Sequence, residues 1–537
     1  MIKGFRQIAV LSAASRGLGM VRDMAYACFW GRTGLTDLWL IAFTVPNLAL
    51  RVLGEGALSS SFIPVYLEEL RSDPKRAHRL ASTVTSVLWV ILSGCVLAGE
   101  LAIGIALVFW ARSESARMLL CLTAVMLPYM VLVSATAVLG GILNAHRHFA
   151  APAAAPAVLN LVIIGTLAVT GWRMHLPPER QVFLVAAGVL VAGVLECALQ
   201  WPPLRARGVR IRPAWAVDLD SFRRVFILMI PMVLGLTVTQ VNTLVNSVMA
   251  WAFSGSAARG EFFSLWGHLV PYPLREGAVS SLYYAQRLYQ FPLGVLGISL
   301  ATAIYPVLSA DAGRGDRSAV CRTVARGVQS AVFVSVPATA GILLMRRALV
   351  SALFEQGRFT SEDTPLVAFV LLFYTLGLCG YFTQQVLIRA FYSMQDPSAP
   401  LRSAVVAVAA NVAASLTLIW FMGAAGLAAA TALCAYVQVV LLGRALRERL
   451  GAAVWEGVAS TLARTLLATL VMAVFGLAVL FLMRRLPEDR VFNVLRVVAV
   501  VPCGAAVFLA AARVLRIEAL SLVLGSLGRR PGVRGSG

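Results

Sequence analysis

Six charged side chains lie within two strongly apolar stretches near the N-terminus, where a bilayer makes an isolated charge costly. They are Arg16, Arg22, Asp23, Asp37, Arg51 and Glu55. A charge near the middle of a membrane-spanning helix costs at least about 2.5–3.5 kcal/mol, so such residues face the protein interior or a water-filled cavity. The pattern predicts a shared polar cavity through which something charged passes.

Arginine suits an anionic substrate because its guanidinium donates two parallel hydrogen bonds to a phosphate or carboxylate. Arg16 and Arg22 are six residues apart and can bracket a broad helix face, with snorkelling to the membrane surface as the alternative. Arg287 is the only charge in its predicted span, and diphosphate binding is its favoured role. Arg51 and Glu55, at i and i+4, either neutralise one another or exchange partners with a substrate.

The two aspartates have alternative roles. Asp23 is either a neutralising partner of an arginine or a ligand. Asp37 lies at the outer start of the second span, where helix capping and pairing with arginine are as plausible as substrate contact.

The composition predicts that membrane-spanning helices position these residues. Of 537 residues, 59% are hydrophobic and 13% charged, with a mean hydropathy of +0.81, against about 45–50% apolar in soluble domains. The sequence predicts an all-α polytopic membrane protein with about fourteen spans of roughly 20 residues. These are 7–28, 36–58, 81–109, 118–143, 152–171, 181–201, 225–252, 279–308, 322–345, 365–392, 402–422, 424–443, 460–483 and 492–512. The first is expected to be a retained helix, because charges interrupt any signal-like apolar run.

Positive charge indicates the orientation of these spans. With the N-terminus in the cytoplasm, more than half of the 46 Lys and Arg fall on the cytoplasmic side, which predicts cytoplasmic termini in a bacterial inner-membrane protein. The net charge of +21 is then explained by topology and by contact with anionic lipids. No motif indicates nucleic-acid binding.

Nothing in the sequence indicates a metal or another cofactor. The 8 cysteines are scattered singly, and the 5 histidines lie in or beside predicted loops. Neither set has the spacing of a metal site.

A weak internal repeat favours a transporter, since many transporters consist of two similar halves around a midplane site. The segment Phe62-Ile63-Pro64-Val65 resembles Ile304-Tyr305-Pro306-Val307. The turn at 144–149, followed by Asn160, has a looser counterpart at 391–397, followed by Asn411. The matches predict two six-helix lobes and a remaining pair of helices at the C-terminus.

Several segments together resemble one family. They are Ser15-Arg16-Gly17-Leu18-Gly19-Met20-Val21-Arg22-Asp23, Thr36-Asp37, Pro46-Asn47, Arg51-Val52-Leu53-Gly54-Glu55-Gly56-Ala57, Tyr283-Tyr284-Ala285-Gln286-Arg287-Leu288 and Phe391-Tyr392-Ser393. Their order along the chain is similar to that of the MurJ (MviN) lipid II flippases, in the multidrug/oligosaccharidyl-lipid/polysaccharide exporter superfamily. The resemblance extends over essentially the whole chain.

The resemblance implies two lobes in a V around a central cavity, with two final helices forming a groove for the lipid tail. The expected units are an N-terminal lobe at 1–201, a basic cytoplasmic linker at 202–224, a C-terminal lobe at 225–450, accessory helices at 451–514 and a cytoplasmic tail at 515–537. The resemblance also assigns site residues. Arg16, Arg22, Asp37, Arg51 and Arg287 would bind substrate, and Ser15, Asp23, Asn47 and Glu55 would support them.

The sequence departs from the family pattern at several positions. Leu50 precedes Arg51 where relatives often have two basic residues, Thr44 replaces a frequent Lys, and Gln286 replaces a frequent Asp. The connection at 253–278 is longer than usual. Gln286 argues against salt-bridge gating at that position. Spans 7 and 11 offer Asn242, Asn246 and Asn411 but no acidic residue, which argues against a sodium site.

The favoured function is translocation of lipid II, the undecaprenyl-diphosphate-linked peptidoglycan precursor, from the inner to the outer leaflet by alternating access, with no bond chemistry. Membrane lipids and cell-wall synthesis proteins are further expected partners. The alternatives are a flippase for another polyprenyl-linked glycan, an exporter of cationic drugs, a polyprenyl-diphosphate glycan ligase or polymerase, and a non-transporting cell-wall scaffold. The cavity arginines disfavour a cationic cargo, and the short outer loops disfavour an enzyme.

Overall fold

The computed structural model describes residues 2–49, 58–111, 113–215, 220–256, 259–265 and 267–521. They fold almost entirely into helices, because a backbone in lipid must satisfy its polar groups internally. The chain divides into two compact units, Met1–Ser280 and Ser281–Gly537. The predicted lobe boundaries are not tested by this division and stay a prediction.

The first unit contains nine helices among its described residues. They are α1 Ile2–Trp30, α2 Gly34–Ala49, α3 Leu58–Ser72, α4 Pro74–Phe109, α5 Glu114–Met126, α6 Tyr129–Ala145, α7 Ala150–Ala168, α8 Pro178–Ala206 and α9 Asp220–Ala252. A π-helical turn, Val169–Arg173, extends α7. A core that includes Phe62, Tyr66, Leu139 and Ile142 joins α3, α4, α6 and α9.

The unit boundary lies inside α10, Ala278–Pro292. A π-helical turn at Leu293–Gly297 connects it to the helices of the second unit. These are α11 Ile298–Gly313, α12 Arg317–Phe354, α13 Asp363–Leu376, α14 Leu378–Ser393, α15 Ser398–Met422, α16 Ala424–Leu450, α17 Val458–Leu482 and α18 Arg490–Val514. Two 3₁₀ turns, Ala452–Trp455 and Met483–Arg485, flank α17.

Ten of the described helical segments are long and apolar enough to cross a membrane, or eleven if the bent pair α13 and α14 forms one span. A polytopic helical protein is therefore confirmed. The predicted spans 7–28, 36–58 and 225–252 are not among the eleven, so the count of fourteen stays a prediction.

Local sequence explains where several helices begin. Asp73 caps α4 by accepting a hydrogen bond from the Lys75 N–H, and Pro74 occupies the first helical position, where its missing N–H costs nothing. Asp316 and Asp489 cap α12 and α18 in the same way. Each cap satisfies one of the donors that a helix leaves unpaired at its N-terminus.

Two predicted spans contain a local interruption of the helix, and the second of them is also strongly bent. Pro128 separates α5 from α6 within the predicted span 118–143. Gly377 separates α13 from α14, which are bent by 40°. Proline and glycine explain both breaks, because each weakens the helical hydrogen-bond ladder locally.

The connection at 253–278 contains short strands in an otherwise helical structure. Short strands there form two small sheets: β1 Ser254–Gly255 pairs in parallel with β4 Leu274–Arg275, and β2 Phe262–Leu265 pairs antiparallel with β3 His268–Pro271. Gly267, with a φ of 83°, lies in the turn between β2 and β3. Aromatic residues such as Phe262 and Phe263 have high strand propensity, and the glycine supplies a turn conformation that other residues avoid.

The two turns matched in the sequence share a backbone feature, while the repeat itself stays a prediction. Arg147, between α6 and α7, has a φ of 57°, and Gln395, between α14 and α15, has a φ of 58°. Positive φ is uncommon for residues other than glycine, so its occurrence at both turns is informative. Asn160 and Asn411, on the helices that follow, are both buried.

The predicted accessory helices α17 and α18 both pack on α12 in the second unit. Phe333 of α12 and Phe508 of α18 have ring centroids 5.2 Å apart in the core of this group. Apolar side chains on the outer surfaces of both helices, including Leu470 and Val498, are exposed. Exposed apolar helix faces are expected where a membrane protein meets lipid.

Candidate functional site

Arg22 lies at the centre of a polar network between α1 and α7. Its Nη2 and Nε donate to Asp23 Oδ1 at 2.9 and 3.1 Å, and its Nη1 donates to Asn160 Oδ1 at 3.0 Å. Asn160 Nδ2 in turn donates to the Ser15 carbonyl at 3.2 Å. The Arg22 side chain is only 11% exposed. The network therefore holds a mostly buried cation in a fixed orientation.

Aromatic residues form one side of this network. The Arg22 guanidinium lies 5.6 Å from the centroid of the Tyr26 ring, at the long end of the cation–π range. Tyr26 stacks on Trp30 at 5.3 Å, and both rings meet Trp39 of α2 edge-on. The aromatic cluster fixes α1 against α2, so the arginine projects from a rigid scaffold.

Ser15 and Arg16 lie one to two turns before Arg22 on the same helix. Arg16 is exposed, and Ser15 is half-buried, with its carbonyl bound by Asn160. An exposed arginine in a predicted membrane span requires water or an anion near its charge. The structure therefore brings Ser15, Arg22 and Asp23 together, with Arg16 adjacent.

Asp37 has a different environment from the arginines. It is 2% exposed, and its carboxylate accepts hydrogen bonds from the backbone N–H groups of Gly277 and Ser280 at 2.9 and 2.7 Å. These groups belong to the N-terminus of α10, where a carboxylate satisfies unpaired donors and interacts favourably with the helix dipole. Helix capping, one of the predicted alternatives, is the contact that Asp37 makes here, although the helix it caps is distant in sequence.

Nearby contacts strengthen the junction that Asp37 makes. Arg32 Nη1 donates to the Glu276 carbonyl at 2.9 Å. Gly277 has a φ of 84°, and a Cβ there would lie 2.6 Å from the Arg32 carbonyl oxygen. Glycine is therefore required at the turn that leads into α10.

The predicted site residues near the N-terminus also include Asn47, Arg51 and Glu55. Asn47 Nδ2 donates to the Phe43 carbonyl at 2.9 Å within α2, next to Pro46. Arg51 and Glu55 lie outside the described residues.

Arg287 lies on α10, in the second unit, and is half-buried. Its Nη2 donates to the Tyr283 hydroxyl at 2.9 Å, and its guanidinium lies 4.5 Å from the centroid of the Tyr283 ring. Its Nη1 is 3.5 Å from Gln290 Oε1. The Tyr283 hydroxyl and Gln290 are thus two of the groups that orient this guanidinium.

Sequence reasoning assigned no role in the site to Asn160. It is 6% exposed and binds both Arg22 and the Ser15 carbonyl. The position of Asn160 inside a predicted span could have indicated this role, because polar residues in a membrane span usually have a partner. Among the described residues, no group of three or more His, Cys, Asp or Glu side chains could hold a metal ion.

Comparison with solved structures identifies the class of fold. The chain matches an inward-facing multidrug resistance MATE family transporter of the MOP superfamily with a TM-score of 0.60 and 12% identity, over 82% of this chain and 94% of that one. An outward-facing MATE transporter gives 0.59 and 13%, over 84% and 96%. A structure of the lipid II flippase MurJ in an inward closed conformation gives 0.73 and 20%, over 97% and 99%. The fold is that of a multi-helix membrane transporter.

Sequence comparison identifies the family. The chain is 31% identical to a probable lipid II flippase MurJ of Rhizobium meliloti, over 85% of this chain and 81% of the relative. It is 30% identical to the corresponding protein of Vibrio cholerae, over 82% and 81%. The family model described as lipid II flippase MurJ matches residues 26–493, so the chain belongs to the MurJ family.

Proposed function

We propose that this protein translocates lipid II from the inner to the outer leaflet of the bacterial cytoplasmic membrane. The observation that carries the proposal is the Arg22 network, a mostly buried and preoriented cation in a predicted span of a chain that belongs to the MurJ family. A transporter of an anionic headgroup needs such a cation. Transport of this kind makes and breaks no bond.

Arginines are proposed to bind the diphosphate and the acidic parts of the headgroup. Arg16, Arg22, Arg51 and Arg287 are the proposed ligands, because each guanidinium can form two parallel hydrogen bonds with a phosphate. Arg22 and Arg287 are already oriented by neighbouring side chains, which lowers the entropic cost of binding.

The supporting residues are proposed to set the charge and position of these ligands. Asp23 neutralises Arg22 when substrate is absent, and Ser15 contributes its carbonyl to the same network. Asp37 is proposed to contact substrate only when its bonds to α10 are released, and otherwise to position that helix. Asn47 and Glu55 complete the proposed set.

Alternating access is the proposed mechanism, with fourteen spans arranged as two lobes in a V around a central cavity and with both termini in the cytoplasm. Related folds that are inward-facing and outward-facing support it. An anion that binds one state more tightly shifts the population toward that state. The exposed apolar faces of α17 and α18 support their proposed role as a groove for the lipid tail.

The test is the exposure of lipid II on the outer leaflet of cells in which this protein is the only flippase. An externally added enzyme that cuts the headgroup reports the exposure. On depletion we expect cleavage to fall while lipid II accumulates. Unchanged cleavage would reject lipid II as cargo and would favour another polyprenyl-linked glycan or a scaffold role.

A variant pair tests the arginines themselves. Arg16, Arg22 and Arg287 are changed together to Ala, and the matched control removes the same number of charges at three exposed arginines, namely Arg117, Arg180 and Arg223. With equal protein levels, we expect flipping to be lost only in the first variant. Flipping in both would reject the proposed ligands.

A further inference from the structure

A carboxyl group lies buried inside the first unit, and no described Lys, Arg or His forms an ion pair with it. Glu196, on the apolar helix α8, is 3% exposed. Its Oε2 accepts a hydrogen bond from the Tyr129 hydroxyl of α6 at 3.4 Å. The proposed transport of lipid II makes no use of this residue.

The groups that face Glu196 are polar but supply no nearby positive charge. Thr136 of α6 lies 3.3 Å from the sulfur of Cys197, next to Glu196 on α8. Arg22 acts electrostatically on Tyr129, but its guanidinium is paired with Asp23. Among the described residues, no Lys, Arg or His comes within 4.0 Å of the Glu196 carboxyl.

These surroundings favour a neutral, protonated Glu196. A buried carboxylate is strongly destabilised unless it is paired or receives several hydrogen bonds, and otherwise it takes up a proton. Hydrogen bonds from a hydroxyl to a carboxylate are usually about 2.5–2.7 Å long, so the bond from Tyr129 is too long for a charge-assisted one.

The contact occurs where α6 begins. Tyr129 immediately follows Pro128, the residue at the break between α5 and α6. Gly193, one turn before Glu196, lets α8 approach α6 closely, because a Cβ there would lie 2.9 Å from the Tyr129 ring. The pair therefore joins α8 to α6 beside the proline that interrupts the helical hydrogen bonds.

A second polar group on the same face of α8 completes the arrangement. Gln200, four residues after Glu196, is fully buried and donates to the Thr136 carbonyl at 3.1 Å. Its Oε1 has no hydrogen-bond partner among the described residues. The face of α8 that carries Glu196 thus has a second buried polar group, one turn further along the helix.

We propose that Glu196 is a proton-binding site of the transport cycle, an inference that rests on the proposed function. The Glu196 O–H bond breaks, the proton passes to water, and the carboxylate keeps the electron pair. An ionised Glu196 is not stable in apolar surroundings with a single long hydrogen bond, so deprotonation loosens the packing of α8 against the start of α6. Reprotonation restores the contact.

Infrared difference spectroscopy of the purified full-length protein in lipid nanodiscs tests protonation without any transport. At neutral pH we expect the C=O stretching band of a protonated carboxyl in the wild type and its loss in Glu196→Gln. The matched control is Glu179→Gln, which changes an exposed glutamate on the same helix and should leave the band in place. Absence of the band from the wild type, or its persistence in Glu196→Gln, would overturn the proposal.

Tyr129→Phe provides a test that does not depend on how well Glu196→Gln folds. It removes the hydrogen-bond donor but keeps the acid, so the same band should remain and move toward the position of a free carboxyl. A band at the wild-type position would show that it does not come from Glu196 and would overturn the assignment.

Flipping in proteoliposomes at several pH values tests the coupling. Gln cannot release a proton, so Glu196→Gln is expected to lose flipping or to lose its pH dependence, while Glu179→Gln keeps both. Wild-type rates and pH dependence in Glu196→Gln would overturn the coupling. If the wild type does not flip lipid II at all, the proposed function fails, whereas the infrared band still decides the protonation of Glu196.

Discussion

Replacing Arg22 with Gln leaves the Asp23 carboxylate without its partner at 2.9 Å, in a position where Asp23 is 2% exposed. Removing one member of a buried ion pair costs about 3–5 kcal/mol. We expect the lower end of that range for Arg22→Gln, because Asp23 has other interactions besides this one. Changing Asp23 to Asn in the same chain removes the unpaired charge, so the double variant should return to within about 1 kcal/mol of the wild type.

Transport is expected to respond differently from stability. Both variants lack the guanidinium proposed to bind diphosphate. The loss of a hydrogen bond to a charged group, about 1.5–3 kcal/mol, corresponds to a decrease of about 10–100-fold in flipping at low lipid II concentration. If Arg22 binds the substrate, the double variant should therefore regain stability without regaining flipping.

The assay combines unfolding in lipid nanodiscs with external cleavage of lipid II in cells at matched protein levels. Arg223→Gln, at an exposed position, is the control for loss of one positive charge. If Arg22→Gln alone is as stable as the double variant, the ion pair is not structural. If the double variant flips lipid II at the wild-type rate, Arg22 is not a ligand and the reasoning is refuted.

Three further predictions follow from contacts elsewhere in the chain. Arg287→Lys keeps the charge but loses the planar fork that binds phosphate at two points, so we expect flipping to fall about 10-fold or more in the cleavage assay. Asp37→Asn weakens the cap of α10, and we expect the free energy of unfolding to fall by about 1–2 kcal/mol in denaturation experiments. Asp396 lies in the loop before α15. Its pKa is lowered mainly by the hydrogen bond from the Ser398 hydroxyl and to a smaller extent by Arg449. Ionised Asp396 therefore stabilises the fold above its ordinary pKa, and the difference in melting temperature between wild type and Asp396→Asn should disappear as the pH falls through the lowered value.

Each of these three predictions has an outcome that contradicts it. Wild-type flipping by Arg287→Lys would show that charge alone is sufficient at that position. Unchanged stability of Asp37→Asn would mean that the cap contributes nothing measurable to α10. A stability difference for Asp396→Asn that persists in acid would assign the effect to packing rather than to ionisation.

The sequence by itself determined the class of the protein. Apolar stretches of about 20 residues predict membrane helices because an isolated helix satisfies its own backbone hydrogen bonds in lipid. The order of the motifs from Ser15 to Ser393 predicted the family, which the match over residues 26–493 confirms. These features are local or follow chain order, so no knowledge of the tertiary structure was needed.

Breaks and strands were harder to predict because they depend on how neighbouring segments pack. Pro128 and Gly377 are visible in the sequence, but proline and glycine occur in many membrane helices that stay continuous. The connection at 253–278 has aromatic residues that suit both a membrane interface and a strand. Only the pairing of Phe263 with Val270 across the turn decides for a strand.

Tertiary structure alone decided the partners of the site residues. Arg22 meets Asn160 across 138 residues of sequence, and Asp37 meets the N-terminus of α10 across 243. Neither spacing follows from helical periodicity, which relates only residues three or four apart. The sequence thus identified which charges are costly in a membrane, whereas the packing of distant helices determined which groups neutralise them.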